Sequence, residues 1–350
     1  MLGKNRKSWT YFAGGIGLLF LCCFLPGMGY VGYQVLGASN QNPTATLPPP
    51  FIVIEITATP AETKPAPQCG GPEVMYILLV GSDTRRDSYV TGLADAIRVL
   101  RVDFVNPSVM ILAFQRDLYV EIPEIADHHG ITHGKLNQAY LYGTDTFKYY
   151  DEGGLALLSL TLNHNFGVNV NHSAAVNLQT FVDVVDALGG LDINLPEPVD
   201  GRVNGSNNPD LYFPAGEQHL NGYRTMILAR LRPQGDLTRN HTQDIILKAL
   251  AVKLLDPATL LQLPSLFDTF KSSVQTNLTQ TEVAQLLCLA PLITSENIRT
   301  VSFPEELFKL KRVNDPILGN TSILDADFEI LRAYVQEFNN GNWPESIPQP

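Results

Sequence analysis

The first apolar block runs from Tyr11 to Leu36 without a charged residue. A helix of roughly 20 apolar residues crosses a bilayer, so this pattern predicts a transmembrane helix over 11–36. Trp9 and Tyr11 stand at one end and Tyr30 and Tyr33 near the other, where interfacial aromatics sit. Lys4, Arg6 and Lys7 precede the block, and no acidic residue occurs before Glu55. Basic flanks stay in the cytoplasm, so residues 1–10 are expected inside and the rest of the chain outside. A cleaved signal peptide is the alternative, but its apolar region is shorter and ends at a small-residue site. From 37 to 73 Pro, Thr, Asn and Gln dominate, Pro48-Pro49-Pro50 among them. Such a stretch cannot bury a core and predicts an extended extracytoplasmic stalk.

Beyond the stalk the pattern changes to short apolar runs. Val74 to Val80 is continuously apolar, as in a strand buried on both faces, and it stops at Gly81-Ser82-Asp83-Thr84-Arg85-Arg86. Ala96 to Val105 is strand-like, and Asn106-Pro107 marks a turn. Val109 to Phe114 predicts a third strand, ending at Gln115-Arg116-Asp117. Thr225 to Ala229 reads as another, leading into Arg230-Leu231-Arg232. Between them lie helical patterns. Leu155 to Leu162 is one, and Val176 to Leu188 is a second with Phe181, Val184, Val185 and Leu188 on one apolar face. Gly189-Gly190 stops it, and Leu191 to Leu195 alternates as a short strand. Asp236 to Leu255 is a long helical segment with Ile245, Ile246, Leu250 and Leu254 apolar. Alternating strands and helices predict an α/β domain over 74–338, followed by a flexible tail at 339–350.

Composition narrows the function classes. Hydrophobic residues make up 45% of the chain, which excludes a wholly disordered protein. A net charge of -11 argues against a generic nucleic-acid binder, which needs a basic face. A site for an anionic substrate must therefore be a local cluster of Arg. Cys22 and Cys23 lie in the apolar block as lipid-facing residues. Cys69 and Cys288 could pair in an oxidising compartment, but one lies in the stalk and one in an apolar helical stretch, so separate thiols are expected. His128, His129 and His133 form a His-containing loop whose spacing matches no strong zinc motif. There is no Gly-x-Ser-x-Gly elbow, and Gly81-Ser82-Asp83 lacks the Lys of a phosphate-binding loop.

The recurring feature is a buried segment that ends in Asp and Arg. In open α/β sheets, ligands bind beyond the carboxyl ends of the strands. Arg grips phosphate oxygens with a bidentate fork, and Asp83 or Asp95 could hold Mg²⁺, which favours carboxylate and phosphate oxygens. The combination suits a diphosphate, although separate surface ion pairs also explain each instance.

Several blocks coincide with one family. They are Ile77 to Arg85, Ala94-Asp95-Ala96, Gln115 to Pro123, Lys135 to Gly143 and Val185 to Ile193. Ala229 to Arg232 follows, then Gly235 to Arg239 and Gln243. The chain resembles the LytR-CpsA-Psr family, membrane-anchored bacterial enzymes of cell-envelope assembly. The resemblance implies a layered α/β/α domain with a central, mostly buried sheet. It also implies transfer of a glycan, with one phosphate, from a polyprenyl-pyrophosphate carrier to an envelope acceptor such as a peptidoglycan hydroxyl. By the same resemblance Arg116, Arg230, Arg232 and Arg239 hold the pyrophosphate, and Asp83 and Asp95 position Mg²⁺. Asp236 is a further acidic or orienting group, Gln243 and Arg85 contact substrate, and Phe181 walls a cavity for the lipid tail. Two departures stand out. Leu93 occupies a position where the family has Arg, two residues before Asp95. Thr242 likewise replaces an Arg before Gln243, and Asp244 replaces a second Gln. Arg86 and Arg98 are the cations available to compensate. A relative that binds lipid pyrophosphate or regulates envelope assembly without turnover is the alternative, as is a lipid pyrophosphatase.

Overall fold

Val74–Ser82 forms β1, whose side chains alternate between two apolar faces, as an unbroken apolar run requires. The computed structural model describes residues 65–84, 89–202, 207–231 and 236–345, without the side chains of 236–240. Strand β1 pairs antiparallel with β2 (Ala94–Asp103), and β3 (Ser108–Phe114) returns beside β2 after the turn at Asn106-Pro107. The short β4 (Tyr119–Glu121) and β5 (His133–Lys135) pair with each other and lead into α1 (Leu136–Tyr142) and α2 (Gly154–Phe166). β6 (His172–Asn177) lies parallel to β1 and runs directly into α3 (Leu178–Ala187). Next come β7 (Leu191–Leu195), β8 (Val199–Asp200), β9 (Tyr212–Phe213) and β10 (Gly216–Leu220); β7 pairs with β10, and β8 with β9. Helices α4 (Gly222–Arg230), α5 (Asp236–Leu255), α6 (Pro257–Leu260) and α7 (Leu263–Phe270) follow. The described chain closes with β11 (Gln275–Thr276), α8 (Gln280–Leu289), β12 (Ile298–Ser302), the hairpin β13 (Lys309–Asp315) and β14 (Gly319–Asp325), and α9 (Phe328–Asn339).

The central sheet is mixed, with strand order β11-β6-β1-β2-β3-β12. Its parallel contacts are β1 with β6 and β3 with β12. One face presents Leu78, Val80, Ile97, Val99, Leu112 and Phe114 to α1, α2 and α9, and is sealed. The opposite face presents Met75, Ile77 and Val102 to Leu286 and Leu289 of α8. There Leu79, Leu100 and Val109 are only half-buried. A smaller core sits around the β7–β10 hairpin, where Val185, Leu191, Ile193, Phe213, Leu228 and Ile246 pack together. This is an α/β fold with a central mixed sheet, as the alternation of runs predicts.

Two predicted elements are corrected. Thr225 to Ala229 is not a strand but the body of α4. Its buried positions are Gly222, Thr225 and Leu228, a helical spacing, and Asn221 caps it by accepting the Arg224 N–H at 2.9 Å. A five-residue apolar run carries no period of its own, so the cap decides. Val176 is not helical either. It extends β6 opposite Gly81, and the helix starts only after Asn177, whose side chain accepts the Thr180 N–H at 2.8 Å.

The ends of the folded part are pinned by specific contacts. Cys69 and Cys288, expected as separate thiols, are joined in a disulfide across 219 residues. Gln68 N–H donates to the Phe104 carbonyl at 2.8 Å, so the last residues before β1 are held against the sheet. Trp343, placed in the tail by its sequence position, packs 5.0 Å from the Tyr334 ring and 5.7 Å from that of Phe303. Among the described residues no helix is long and apolar enough to cross a membrane. The transmembrane segment expected over 11–36 lies outside the described residues.

Candidate functional site

The carboxyl end of β1 and the start of β2 are tied through Asp83. Its N–H donates to the Leu93 carbonyl at 3.1 Å, and its Oδ1 accepts the Leu93 N–H at 2.7 Å. A register shift at Gly81/Ser82 sets this corner, bringing Ser82 opposite Ala94. Ser82 Oγ lies 2.8 Å from Thr84 Oγ1, which in turn donates to the Thr91 carbonyl at 2.6 Å. Gly92 passes so close that a Cβ there would overlap the Thr84 hydroxyl. Asp83 and Asp95 are thus presented from neighbouring strands at one end of the sheet.

Asp95 pairs with Arg116, the residue that follows β3 by two positions. Arg116 Nε also donates to Asp117 Oδ2 at 3.1 Å, and Lys135 Nζ donates to Asp117 Oδ1 at 2.8 Å. Backbone bonds fix the same corner: the Asn137 N–H donates to the Arg116 carbonyl at 3.1 Å, and the Leu136 N–H to the Leu118 carbonyl at 2.8 Å. Burial pushes the Asp117 carboxyl upward. The hydrogen bond from Lys135 and the charges of Arg116 and Lys135 outweigh it and hold Asp117 below the ordinary carboxylate range. The result is an alternating chain of Asp95, Arg116, Asp117 and Lys135. Lys135 escaped assignment because its partner lies 18 residues earlier, across the β4–β5 pair.

A second cluster centres on Arg98 of β2, whose side chain is 2% exposed. Its Nη2 donates to Asp244 Oδ1 at 3.1 Å and to Gln243 Oε1 at 3.3 Å, and its Nη1 donates to the Ile97 carbonyl at 3.1 Å. Gln243 Nε2 then donates to the Ala229 carbonyl at 3.1 Å. Burial works against both charges, raising Asp244 and lowering Arg98, while their mutual attraction opposes it. The guanidinium stays cationic, since Arg does not lose its proton in proteins.

The comparisons with known proteins bear on the whole of this arrangement. The LytR_cpsA_psr family model matches residues 56–333. The chain belongs to that family. TagV of Bacillus subtilis (strain 168), a polyisoprenyl-teichoic acid–peptidoglycan teichoic acid transferase, is 27% identical over 232 residues, covering 65% of this chain and 55% of TagV. The regulatory protein MsrR of Staphylococcus aureus (strain COL) is 26% identical over 232 residues, covering 65% of this chain and 64% of MsrR. The alignments thus span between about half and two thirds of those relatives' lengths. The crystal structure of B. subtilis TagV superposes with a TM-score of 0.60 at 25% identity, covering 78% of this chain and all of that one.

The LytR-CpsA-Psr positions distribute over these clusters. Asp83, Asp95 and Arg116 share the sheet corner, and Gln243 is held by Arg98. Arg230 is the last residue of α4 and is exposed, one residue beyond the carbonyl that Gln243 binds. Arg230 is helical, because the run expected to lead into it as a strand is the body of α4. Arg232 and Arg85 lie outside the described residues. Asp236 and Arg239 fall in the first turns of α5, three positions apart, with only their backbone described. Phe181 is half-buried and packs against the smaller core with Ile227 and Leu250. Among the described residues no group of three or more His, Cys, Asp or Glu could hold a metal. The carboxylates assigned to the metal are Asp83 and Asp95, while Asp117 is taken up by Arg116 and Lys135. Mg²⁺ takes one or two protein carboxylates and completes its shell with phosphate oxygens and water; Asp83, which accepts from Leu93, and Asp95, paired with Arg116, are the residues that would hold it.

Proposed function

We propose that this protein is a membrane-anchored, extracytoplasmic transferase that moves a phosphoglycan from a polyprenyl-pyrophosphate carrier to an envelope acceptor such as peptidoglycan. The observation that carries the reading is the corner beyond β1 and β3 where Asp95, Arg116, Asp117 and Lys135 form an ion-pair chain, with Asp83 tied beside it to Leu93. Its location is where an open α/β sheet binds ligands, and its cations suit a diphosphate. The named activity of TagV points the same way. The half-buried Leu79, Leu100 and Val109, faced by Leu278 and Leu286, supply apolar wall for a polyprenyl chain. The disulfide suits an oxidising compartment outside the cytoplasm.

In the reaction, the acceptor hydroxyl oxygen attacks the phosphorus that bears the glycan. The new bond joins acceptor to phosphate, the phosphoanhydride bond breaks, polyprenyl monophosphate leaves, and the hydroxyl proton is released. Such transfer depends on positioning and on neutralising spread charge. Arg116 is oriented for that by Asp95 and Asp117. Arg230, Arg232 and Arg239 add cations from α4, the connection after it and α5. Mg²⁺ held by Asp83 and Asp95 would add charge neutralisation at the diphosphate.

Full-length protein in detergent micelles, given a polyprenyl-pyrophosphate-linked glycan with and without a peptidoglycan fragment, tests this. Acceptor-dependent conjugate formation, reduced about 100-fold or more in Arg116→Ala, is the expected result. Phosphate release without conjugate would replace transfer by hydrolysis. Tight binding without product would favour the binding or regulatory reading, which the loss of Arg at Leu93 and Thr242 and the likeness to MsrR support.

A further inference from the structure

We infer that Arg98 is a positioning residue of the transfer site, fixing the junction between α4 and α5 through Gln243 and Asp244. The inference rests on the transferase reading and extends it to a residue outside the family's motif positions. Arg98 stands on the sheet face away from the sealed core, between Leu79 and Ala113 in register. Its guanidinium bridges three backbone or side-chain groups on two elements: Ile97 beside it, and Gln243 and Asp244 on α5. Gln243 passes the constraint on by donating to Ala229, which immediately precedes Arg230. A rigid sheet strand thereby sets the end of α4 and the helix that carries Asp236 and Arg239.

The chemistry of the pair argues against mere packing. Arg98 Nε is buried without a hydrogen-bond partner, a cost that an apolar side chain of similar volume would not bear. Buried ion pairs are often matched or exceeded in stability by apolar replacements. What the fork supplies instead is geometry: one planar group holds Gln243 and Asp244 at once, where Lys would offer a single point. Asp244 stands where the family has a second Gln, and Thr242 where it has Arg. In this chain a cation on the sheet and an anion on the helix define the junction.

Arg98→Met alone would strand a buried carboxylate, so the informative variant is Arg98→Met combined with Asp244→Leu. Both charges go and the volume stays. Full-length protein in micelles should keep its unfolding midpoint. Hydrogen exchange at the amides of 226–231 and 241–245 should quicken by about tenfold, and kcat should fall by a similar factor while the KM for the acceptor holds. Arg98→Lys, with its charge intact, should recover part of the kcat. A folded double variant with unchanged exchange and unchanged kcat would overturn the inference. If the wild-type protein itself shows no transfer, the function proposed above fails, and the exchange measurement still decides whether Arg98 holds the junction.

Discussion

Asp117 is gripped by two cations, Arg116 at 3.1 Å and Lys135 at 2.8 Å, and so is held below the ordinary carboxylate range. In the unfolded chain that grip is absent. As pH falls, the unfolded state therefore binds its proton first. The stabilisation is complete above the ordinary carboxylate range and is lost as pH drops through the depressed folded value. Urea midpoints of wild type and Asp117→Asn between pH 6 and pH 2 should converge as acid is added, and a constant gap would refute the assignment. Asp83 and Arg116 were legible in the sequence because each follows an apolar run, and Asp95 because it immediately precedes one. Arg98 was legible only as a spare cation and Lys135 only as the start of a family block; their roles were not, because their partners come from distant segments.

Helix α4 shows how a short element is decided by its edges. The Asn221 cap should contribute about 1 kcal/mol, so Asn221→Ala is expected to lower the unfolding free energy by that amount in urea titration. Gly222→Ala should cost more, about 1–3 kcal/mol, because its Cβ would overlap the Val182 carbonyl oxygen of α3. A neutral Gly222→Ala would show that α3 and α4 can separate freely. The same logic explains the misplaced start of α3. Val176 has the composition of either element, and main-chain pairing with β1 claims it. Long periodic segments leave no such choice, and Asp236–Leu255 is helical over the range its pattern predicts.

Across the domain, the Cys69–Cys288 bond closes a loop of 219 residues; chain entropy alone gives such a loop about 5 kcal/mol, and such links typically deliver about 2–4 kcal/mol. Cys69→Ser/Cys288→Ser is expected to lower the unfolding free energy by that amount while keeping the secondary structure, as read by urea titration and circular dichroism. An unaltered midpoint would mean the packing of Gln68–Gly70 against Phe104 suffices. The charge asymmetry around 11–36 predicts that a reporter fused after Pro350 is active only in an exported form. Activity of a reporter that works only in the cytoplasm would reverse the topology. The sequence by itself determined the α/β class, the strands β1 to β3, the family and the charged ends of the apolar runs, since periodicity and local composition are properties of neighbouring residues. Only the tertiary structure decided that Cys69 meets Cys288, that Thr225–Ala229 coils, and that Arg98 reaches α5. These depend on contacts between segments far apart in the chain, and a linear pattern carries no record of which distant partner a buried charge or thiol will find.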